Sequence, residues 1–291
     1  MDCVSIILTT HNGVDTIYRC LMSAVLQDYP FTEIIVVDDN GEGTKNQRET
    51  ENIVRSFDNE KVKYIAHPHN KNGSAARNTG ILNSKGDYIA FLDDDDVLTP
   101  DSISLRVKAF HAGDDNVGVS LGSFVQFVDG TEPLINIVKY NGKVTKDLLC
   151  LKYSTPSSII MIRRKVIDKI GLWDESFKRH QDWDFLTRAS KFFDFCSTEI
   201  IICERYVTWR NNPKLPKQFK ELRLYFLYKM KSIIYSLTKK EIKEIFFVHY
   251  FDIGKQYLKH KRVFSAFFWF CKSGRPLLCL TKLFKGVKKN A

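Results

Sequence analysis

The sequence lacks several features that mark common classes of protein. No window reaches about 18 consecutive apolar residues, so no segment has the character of a transmembrane helix. No basic stretch precedes the first apolar run and no small-residue cleavage site follows it, so we expect no secretory signal. The 7 cysteines are scattered and never form a CxxC pair. Such a set favours a reducing compartment and argues against a disulfide framework or a zinc site.

Two common nucleotide-binding motifs are also missing. The sequence contains neither the G-x-G-x-x-G motif nor a P-loop, which argues against a dehydrogenase and against an NTPase. Apolar residues make up 44% of the 291 positions and charged residues 27%, which is typical of a globular chain. This length accommodates one large α/β domain and an appendage.

The formal net charge of +10 is unevenly distributed. Residues 213–291 contain 19 Lys and Arg against 4 Asp and Glu, a net charge of +15, whereas residues 1–212 have 25 against 30, a net charge of −5. The Asn- and Pro-rich residues 211–216 are typical of a linker. We therefore predict an acidic α/β domain over residues 1–212 and a basic helical region over residues 213–291.

Periodicity divides the acidic part into two halves. Over residues 1–115, apolar β-rich runs alternate with segments of helical spacing, which predicts βαβ units and a mostly parallel sheet flanked by helices. The predicted strands are 4–9, 33–37, 61–66 and 87–92, and the predicted helices are 15–27, 74–83 and 100–112. Over residues 116–212 the pattern changes. The predicted strands there are 117–128 and 158–162, with one or two further strands over 199–209, and the predicted helices are 165–170 and 181–193.

Acidic clusters follow two of the predicted parallel strands, at Asp38-Asp39 and at Asp93–Asp96. Open α/β sheets bind ligands at the carboxyl ends of their strands, so we expect both clusters at one rim, near residues 9–13. Four adjacent carboxylates repel one another, and Mg²⁺ or Mn²⁺ would offset that repulsion. The alternative is a solvated acidic turn that caps a helix starting at Pro100.

Five segments, which together span roughly residues 3–190, carry a recognisable set of motifs. They are 4–12 (VSIILTTHN), 33–39 (EIIVVDD), 72–80 (NGSAARNTG), 88–96 (YIAFLDDDD), and 171–175 (GLWDE) with 181–188 (QDWDFLTR). Taken together and in this order, the segments resemble those of family 2 glycosyltransferases, which are inverting enzymes of the GT-A fold. The resemblance implies transfer of a sugar from a UDP-sugar to a hydroxyl of a glycan or lipid-linked glycan, in the assembly of a cell-surface polysaccharide or another glycan.

The resemblance also implies roles for individual residues. Asp39 would accept a hydrogen bond from uracil N3–H, and Thr9 and His11 would line the base pocket. The implied contacts to the nucleotide-sugar are Thr9, His11, Asp39, Arg77, Asp93 and Asp94. The implied ligands of Mn²⁺ or Mg²⁺ are Asp95, Asp93 and Asp96, with the register within the run of four left open.

Asp182 corresponds to the family's catalytic base. Inverting transfer needs a carboxylate that takes the proton of the acceptor hydroxyl. A position at the start of a helix would lower the pKa of this carboxyl through the helix dipole. The alternative is that Asp182 or Asp184 only caps the helix.

Two other functions compete with glycosyl transfer. A sugar-nucleotide nucleotidyltransferase would need a Gly-rich, basic loop after the first strand, and residues 11–16 lack that character. A nucleic-acid-binding protein could use the basic C-terminal region, but no recognisable module is present and the acidic domain would repel phosphates. We therefore expect no nucleic-acid partner.

The basic C-terminal region interleaves Lys and Arg with aromatic residues. This pattern favours helices that lie at an anionic membrane surface. The alternative is that these helices pack on the catalytic domain or on a partner subunit. We therefore expect a cytoplasmic protein with peripheral attachment to the cytoplasmic face of the membrane.

Overall fold

The computed structural model describes residues 2–207 and 215–287. Contacts divide the chain into two units, one comprising Met1–Val144 and Tyr153–Thr208 and the other comprising Thr145–Lys152 and Trp209–Ala291. The predicted boundary at residue 212 and the predicted linker up to residue 214 lie outside the described residues. The predicted division at residue 115 stays a prediction.

Unit 1 is built from nine strands and six helices within the described residues. The first half runs β1 (Val4–Thr10), α1 (Ile17–Val25), β2 (Thr32–Asp38), α2 (Lys45–Arg55), β3 (Val62–Ala66), α3 (Gly73–Leu82), β4 (Tyr88–Asp93), β5 (Asp96–Leu98) and α4 (Ser102–Ala112). The second half runs β6 (Val117–Phe127), β7 (Leu134–Asn136), β8 (Ile160–Arg163), α6 (Lys165–Ile170), α7 (Gln181–Ser190) and β9 (Asp194–Tyr206). The intervening helix α5 (Thr145–Leu149) belongs to unit 2.

The strands form one sheet in the order β3-β2-β1-β4-β8-β6-β9-β5, with β7 paired to β6. The first four strands are parallel, and β8 is antiparallel to both of its neighbours. Strands β1, β2 and β4 are buried along almost their whole length, as parallel strands covered by helices on both faces should be. The predicted α/β architecture is confirmed.

Several elements differ from the predictions, and the short β5, β7 and α5 had no counterpart among them. Helix α2 was not predicted, because it is largely polar and buries few side chains, Gln47 and Val54 among them. Helix α4 begins at Ser102, so Pro100 precedes the helix instead of standing in its first turn. The predicted strand 199–209 belongs to the longer β9, whose 13 residues begin at Asp194, and residues 208–209 lie outside the described residues.

Unit 2 is helical, as predicted. Its helices are α5 (Thr145–Leu149), α8 (Pro216–Lys229), α9 (Lys231–Ile234), α10 (Lys239–Lys259), α11 (Val263–Lys272) and α12 (Pro276–Val287). Helix α5 is fixed to α10 by an ion pair between Lys146 and Glu244 (2.6 Å) and by a hydrogen bond from His249 Nε2 to the Leu149 carbonyl (2.9 Å). Among the described residues, no helix combines the length and apolar character needed to cross a membrane.

Gly80 sets the distance between α3 and β1. A Cβ built at Gly80 would lie 2.3 Å from Cγ2 of Ile7, which is fully buried in β1. The absence of a side chain therefore allows α3 to lie close to the sheet. This close approach positions Arg77, one turn earlier in α3, against the end of β4.

We predict that Gly80→Ala destabilises unit 1. Alanine is favoured over glycine in a helix by about 1 kcal/mol. Overpacking against Ile7 costs about 1–3 kcal/mol and outweighs that gain. Urea unfolding should show a net loss of about 1 kcal/mol. In a double-mutant cycle with Ile7→Ala, which removes the clashing atoms, the losses should be less than additive. Strictly additive losses, or a more stable Gly80→Ala variant, would contradict this account of α3 packing.

Candidate active site

The carboxyl ends of β1, β2 and β4 meet at one rim of the sheet. In the parallel register, Thr9 of β1 lies beside Asp93 of β4, and Thr10 lies beside Asp38 of β2. Asp93 ends β4, the next two residues form a turn, and Asp96 begins β5. The two acidic clusters therefore lie at the ends of β2 and β4, on either side of β1.

Asp93 is held by an arginine and a serine. Arg77 Nη2 donates to Asp93 Oδ1 (2.5 Å), and Ser157 Oγ donates to Asp93 Oδ2 (2.6 Å). Burial raises the pKa of the Asp93 carboxyl, but Arg77 and Ser157 outweigh it and leave that pKa below its ordinary value. Arg77 Nη1 also donates to Gln181 Oε1 (3.2 Å), and its guanidinium lies 4.9 Å from the centre of the Trp173 ring. Arg77 thus joins α3, β4 and the start of α7.

Asp94 is turned towards the first loop. Its Oδ2 accepts hydrogen bonds from Thr10 Oγ1 (2.6 Å) and from the His11 amide (3.0 Å). A Cβ at Gly13 would come within 2.0 Å of the same oxygen, so any other residue there would displace the Asp94 carboxylate. Burial, followed by repulsion from Asp95, raises the pKa of Asp94 to about 7. The His11 side chain itself is exposed.

Asp96 is buried on the other side of the turn. Its Oδ2 accepts a hydrogen bond from Ser158 Oγ (2.6 Å) and lies 3.4 Å from Arg205 Nε. Burial raises the pKa of Asp96 to about 7, against the lowering effect of Arg205, and repulsion from Asp93 and Asp95 adds to the increase. Asp95 is partly exposed on the turn between these carboxylates.

Asp39 organises the loop that precedes α3. Its Oδ1 accepts hydrogen bonds from His67 Nδ1 (2.7 Å) and the Lys71 amide (2.8 Å). Its Oδ2 accepts hydrogen bonds from the Asn72 amide (2.9 Å) and Asn70 Nδ2 (3.0 Å). The Asp39 residue is only 2% exposed. The structure therefore places four protein donors on the carboxylate that was predicted to contact uracil.

Asp182 lies in the first turn of α7, directly after the Gln181 that Arg77 contacts. Burial raises the pKa of its carboxyl to about 6, although the Trp183 amide, Arg77 and Arg205 each lower it. The prediction that a helix start lowers this pKa is therefore wrong, because desolvation outweighs the helix end. A carboxylate with a raised pKa is a stronger base. Asp184, by contrast, pairs with Arg188 one turn later (2.8 Å).

The four-aspartate turn can contribute only a small number of protein ligands to a metal. Among the described residues, no group of three or more His, Cys, Asp or Glu side chains has an arrangement that could hold an ion. Mg²⁺ commonly takes one or two carboxylates and completes its coordination with substrate phosphates and water. Repulsion from Asp95 raises the pKa values of Asp94 and Asp96, and a divalent cation would relieve that repulsion. The donor chemistry of the turn fits such a cation.

Several residues of this region were not predicted. Ser157, Ser158 and Arg205 contact the rim carboxylates, and Gln181 contacts Arg77. Ser157 and Ser158 lie on a short 3₁₀ turn with no motif of its own. Arg205 had one available signal, since a buried acidic cluster requires cations and Arg205 lies within a predicted strand. His67, which contacts Asp39, was not predicted either.

Comparison with known sequences identifies the family. The chain belongs to glycosyl transferase family 2, whose profile matches residues 5–171. An uncharacterized glycosyltransferase of Rickettsia prowazekii is 31% identical over 252 residues, which cover 82% of this chain and 74% of the relative. One from Rickettsia felis is 28% identical over 249 residues, and one from Rickettsia bellii is 26% identical over the same length. The matched part covers only 39% and 34% of those two longer relatives.

Solved structures share the fold. S. aureus TarS residues 1–349 in complex with UDP-GlcNAc align with a TM-score of 0.63 and 16% identity, covering 91% of this chain and 89% of that one. The mannosyltransferase PcManGT from Pyrobaculum calidifontis, in complex with GDP-Man and Mn²⁺, aligns with a TM-score of 0.63 and 14% identity, covering 99% and 80%. The predicted GT-A fold is thereby confirmed.

We predict that Asp39→Asn disrupts the rim more than Asp38→Asn does. An amide at residue 39 would direct its NH₂ at two donors that now face an oxygen, and unsatisfied buried donors cost about 1–3 kcal/mol. Asp38 accepts hydrogen bonds from the Asn40 amide (2.8 Å) and from the Tyr64 hydroxyl (2.7 Å), and that hydroxyl can rotate to accept from an amide. Urea unfolding should show a loss of about 2 kcal/mol for Asp39→Asn and a smaller loss for Asp38→Asn. Equal midpoints for the two variants would argue against this role of Asp39.

Proposed function

We propose that the chain transfers a sugar from a UDP-sugar to an acceptor hydroxyl with inversion at the anomeric carbon. The observation that carries this proposal is the position of Arg77, which contacts both Asp93 at the rim and Gln181 beside Asp182. Carboxylates suited to a metal therefore lie on one side of this guanidinium, and Asp182, a half-buried carboxylate suited to base catalysis, lies next to its partner Gln181 on the other. Membership of family 2 favours glycosyl transfer over nucleotidyl transfer.

The donor would bind at the rim formed by the ends of β1, β2 and β4. Thr9 and His11 are the proposed contacts to the base, and Asp39 acts there chiefly by fixing the loop of residues 70–72. The resemblance of residues 33–39 to the family's nucleotide-binding strand favours uridine, and TarS, which has this fold, binds UDP-GlcNAc. PcManGT binds GDP-Man, so guanosine is the alternative that a test must include.

Asp95 is the proposed principal ligand of Mn²⁺ or Mg²⁺, with Asp93 beside it. A bound divalent cation would stabilise the negative charge that develops on the departing diphosphate. Arg77 and Ser157 hold the Asp93 carboxylate through one hydrogen bond to each of its oxygens, and so would fix its orientation at the proposed donor site. Asp96 is 1% exposed and accepts a hydrogen bond from Ser158, so its proposed role is to hold the conformation of the turn.

Asp182 is the proposed general base. The acceptor oxygen attacks the anomeric carbon, its proton passes to the Asp182 carboxylate, and the bond to the diphosphate breaks with its electron pair retained by UDP. A pKa of about 6 leaves this carboxyl ionised at neutral pH and still basic enough to accept the proton. Arg77 and Arg205 favour the ionised form, so the same guanidinium that orients Asp93 also supports the base.

The acceptor and the location of the reaction are part of the same proposal. We propose a glycan or lipid-linked glycan acceptor in polysaccharide assembly, as the family resemblance implies. All seven cysteines have free thiols, which supports a reducing, cytoplasmic environment. An acceptor carried by a lipid would bring the protein to the cytoplasmic face of a membrane.

Binding of UDP should require a divalent metal. Calorimetry with Mn²⁺ should show UDP binding that EDTA weakens sharply and that exceeds GDP binding. Asp95→Asn should weaken metal-dependent UDP binding by about tenfold or more, since even partners outside the coordination shell contribute that much. Asp15→Asn, which alters an exposed carboxylate of the first loop, is the matched control and should bind normally. Equal binding of UDP and GDP, unaffected by EDTA, would disprove the assignment of the donor.

Asp182→Asn should retain UDP binding and lose transfer by about two to four orders of magnitude, the usual contribution of a general base. Transfer is followed as UDP release from a UDP-sugar in the presence of acceptor. In the wild type the rate should fall about tenfold per pH unit below pH 6, because the base becomes protonated there. The residual activity of the variant should lose this dependence.

Asp184→Asn serves as the control for the base. It breaks the pair with Arg188 on the same helix and should lower stability while leaving the pH midpoint of transfer unchanged. If Asp182→Asn transfers sugar at nearly the wild-type rate, Asp182 is a helix cap and the base lies elsewhere.

A further inference from the structure

Helix α11 is apolar on both of its faces. Ala266, Trp269 and Phe270 are buried within unit 2, and Phe270 packs so closely on α10 that a Cβ at Gly254 would lie 2.3 Å from its ring. The opposite face carries Phe264, which is 94% exposed, and Phe267, which is 61% exposed. A surface helix normally places polar residues on its outer face. The outward rings of α11 therefore indicate a surface that is covered when the protein functions.

The exposed apolar side chains form a continuous stripe at helical spacing. Positions 264, 267 and 268 follow the i, i+3, i+4 pattern, and exposed Val263 extends the stripe at the N-terminal end of the helix. The name α11 patch is used below for Val263, Phe264, Phe267 and Phe268. Contiguous exposed apolar surface of this kind marks a site of contact with another molecule or with a membrane.

The part of the sequence that contains α11 carries charge of a single sign. Asp252 is the last acidic residue of the sequence, and residues 253–291 contain 10 Lys and Arg with no Asp or Glu. Asp252 itself pairs with Arg223 (3.1 Å). The exposed cations nearest to the patch in sequence are Lys259, Lys261, Arg262, Lys272 and Arg275. The apolar stripe is thus bordered by cations at both ends of α11.

Aromatic rings and cations are also combined beside the patch. Lys272 Nζ lies 5.0 Å from the centre of the Trp269 ring and 5.4 Å from that of Tyr250. A groove of about 410 Å³ opens next to this helix. Its lining residues are Lys220, Tyr257, Phe264, Ser265, Phe268 and Trp269. Aromatic walls with a lysine at the edge are complementary to the acyl chains and the phosphate of a phospholipid.

We propose that the α11 patch binds the surface of an anionic phospholipid bilayer, with α11 lying in the plane of the interface. At ten residues the helix is about 15 Å long, half of the hydrocarbon thickness, so it lies on the bilayer instead of crossing it. Its rings would enter the boundary of the acyl region, and the flanking Lys and Arg would face anionic headgroups.

A second copy of the chain fits this surface less well. A two-fold symmetric contact brings each patch against itself. The single-sign border would then place Lys and Arg opposite Lys and Arg, and like charges across an interface oppose association. An anionic bilayer complements both the apolar stripe and its border. Binding to a bilayer can be measured without sugar transfer, so the result does not depend on the proposed reaction.

The test measures binding of the full chain to vesicles by flotation. At low salt the protein should bind vesicles of phosphatidylcholine mixed with phosphatidylglycerol at least about tenfold more strongly than pure phosphatidylcholine vesicles. High salt should weaken this preference through screening. The double variant Phe264→Ser/Phe267→Ser should bind the mixed vesicles about tenfold or more weakly, because two rings no longer leave water. Lys261→Glu/Arg262→Glu should lose a similar factor selectively for the anionic vesicles.

The matched control is Tyr235→Ser, which removes an exposed ring of the same unit outside the patch and should bind as the wild type does. Thermal unfolding followed by circular dichroism should show that all variants remain folded. The proposal is overturned if the wild type does not float with anionic vesicles at low salt, or if the serine variant binds them normally. A wild-type dimer that the serine variant abolishes, without vesicle binding, would instead identify an interface between copies.

Discussion

Carboxylates crowded at the end of β4 impose the main physical constraint on unit 1. Four of them are consecutive, and burial together with mutual repulsion raises the pKa values of Asp94 and Asp96 to about 7. Side chains from separate elements donate hydrogen bonds to these carboxylates, among them Arg77 on α3, Thr10 at the end of β1 and Ser158 just before β8. The acidic turn lies at the carboxyl ends of the parallel strands. The positions of these elements around the rim therefore depend on their hydrogen bonds to that turn.

The sequence predicts the parts of this site that follow from periodicity and strand order. Buried β-rich runs identify β1, β2 and β4, and a parallel register then brings Asp38 and Asp93 to one rim. Helix α2 escapes such reasoning because its exposed face is polar and its buried face includes Gln47. The donors to the acidic turn could not be predicted for another reason. Ser158 and Arg205 are brought to the turn by the pairing of strands that are distant in sequence, and no local sequence pattern indicates that pairing.

The raised pKa of Asp182 shows how burial can outweigh local structure. From sequence, the start of a helix favours an ionised, weakly basic carboxylate. In the structure, desolvation is the dominant influence and raises the pKa to about 6, although Arg77 and Arg205 moderate the increase. Asp184, two residues later, is bound to Arg188 and serves the helix itself. Two aspartates in one helical turn therefore have different environments, and spacing alone does not distinguish them.

The contact between Arg77 and Gln181 has a consequence for how this site evolves. The guanidinium of Arg77 on α3 contacts Asp93 of β4 on one side and Gln181, the first residue of α7, on the other. Under the proposed function, specificity for the donor and reactivity towards the acceptor would therefore change together, because a substitution that alters one side would also displace the group that serves the other. Gln181 contributes a neutral oxygen to this contact, so it directs the arginine without competing for its charge. Under that proposal, divergence towards new acceptors would be freer in loops distant from α7 than at its first turn.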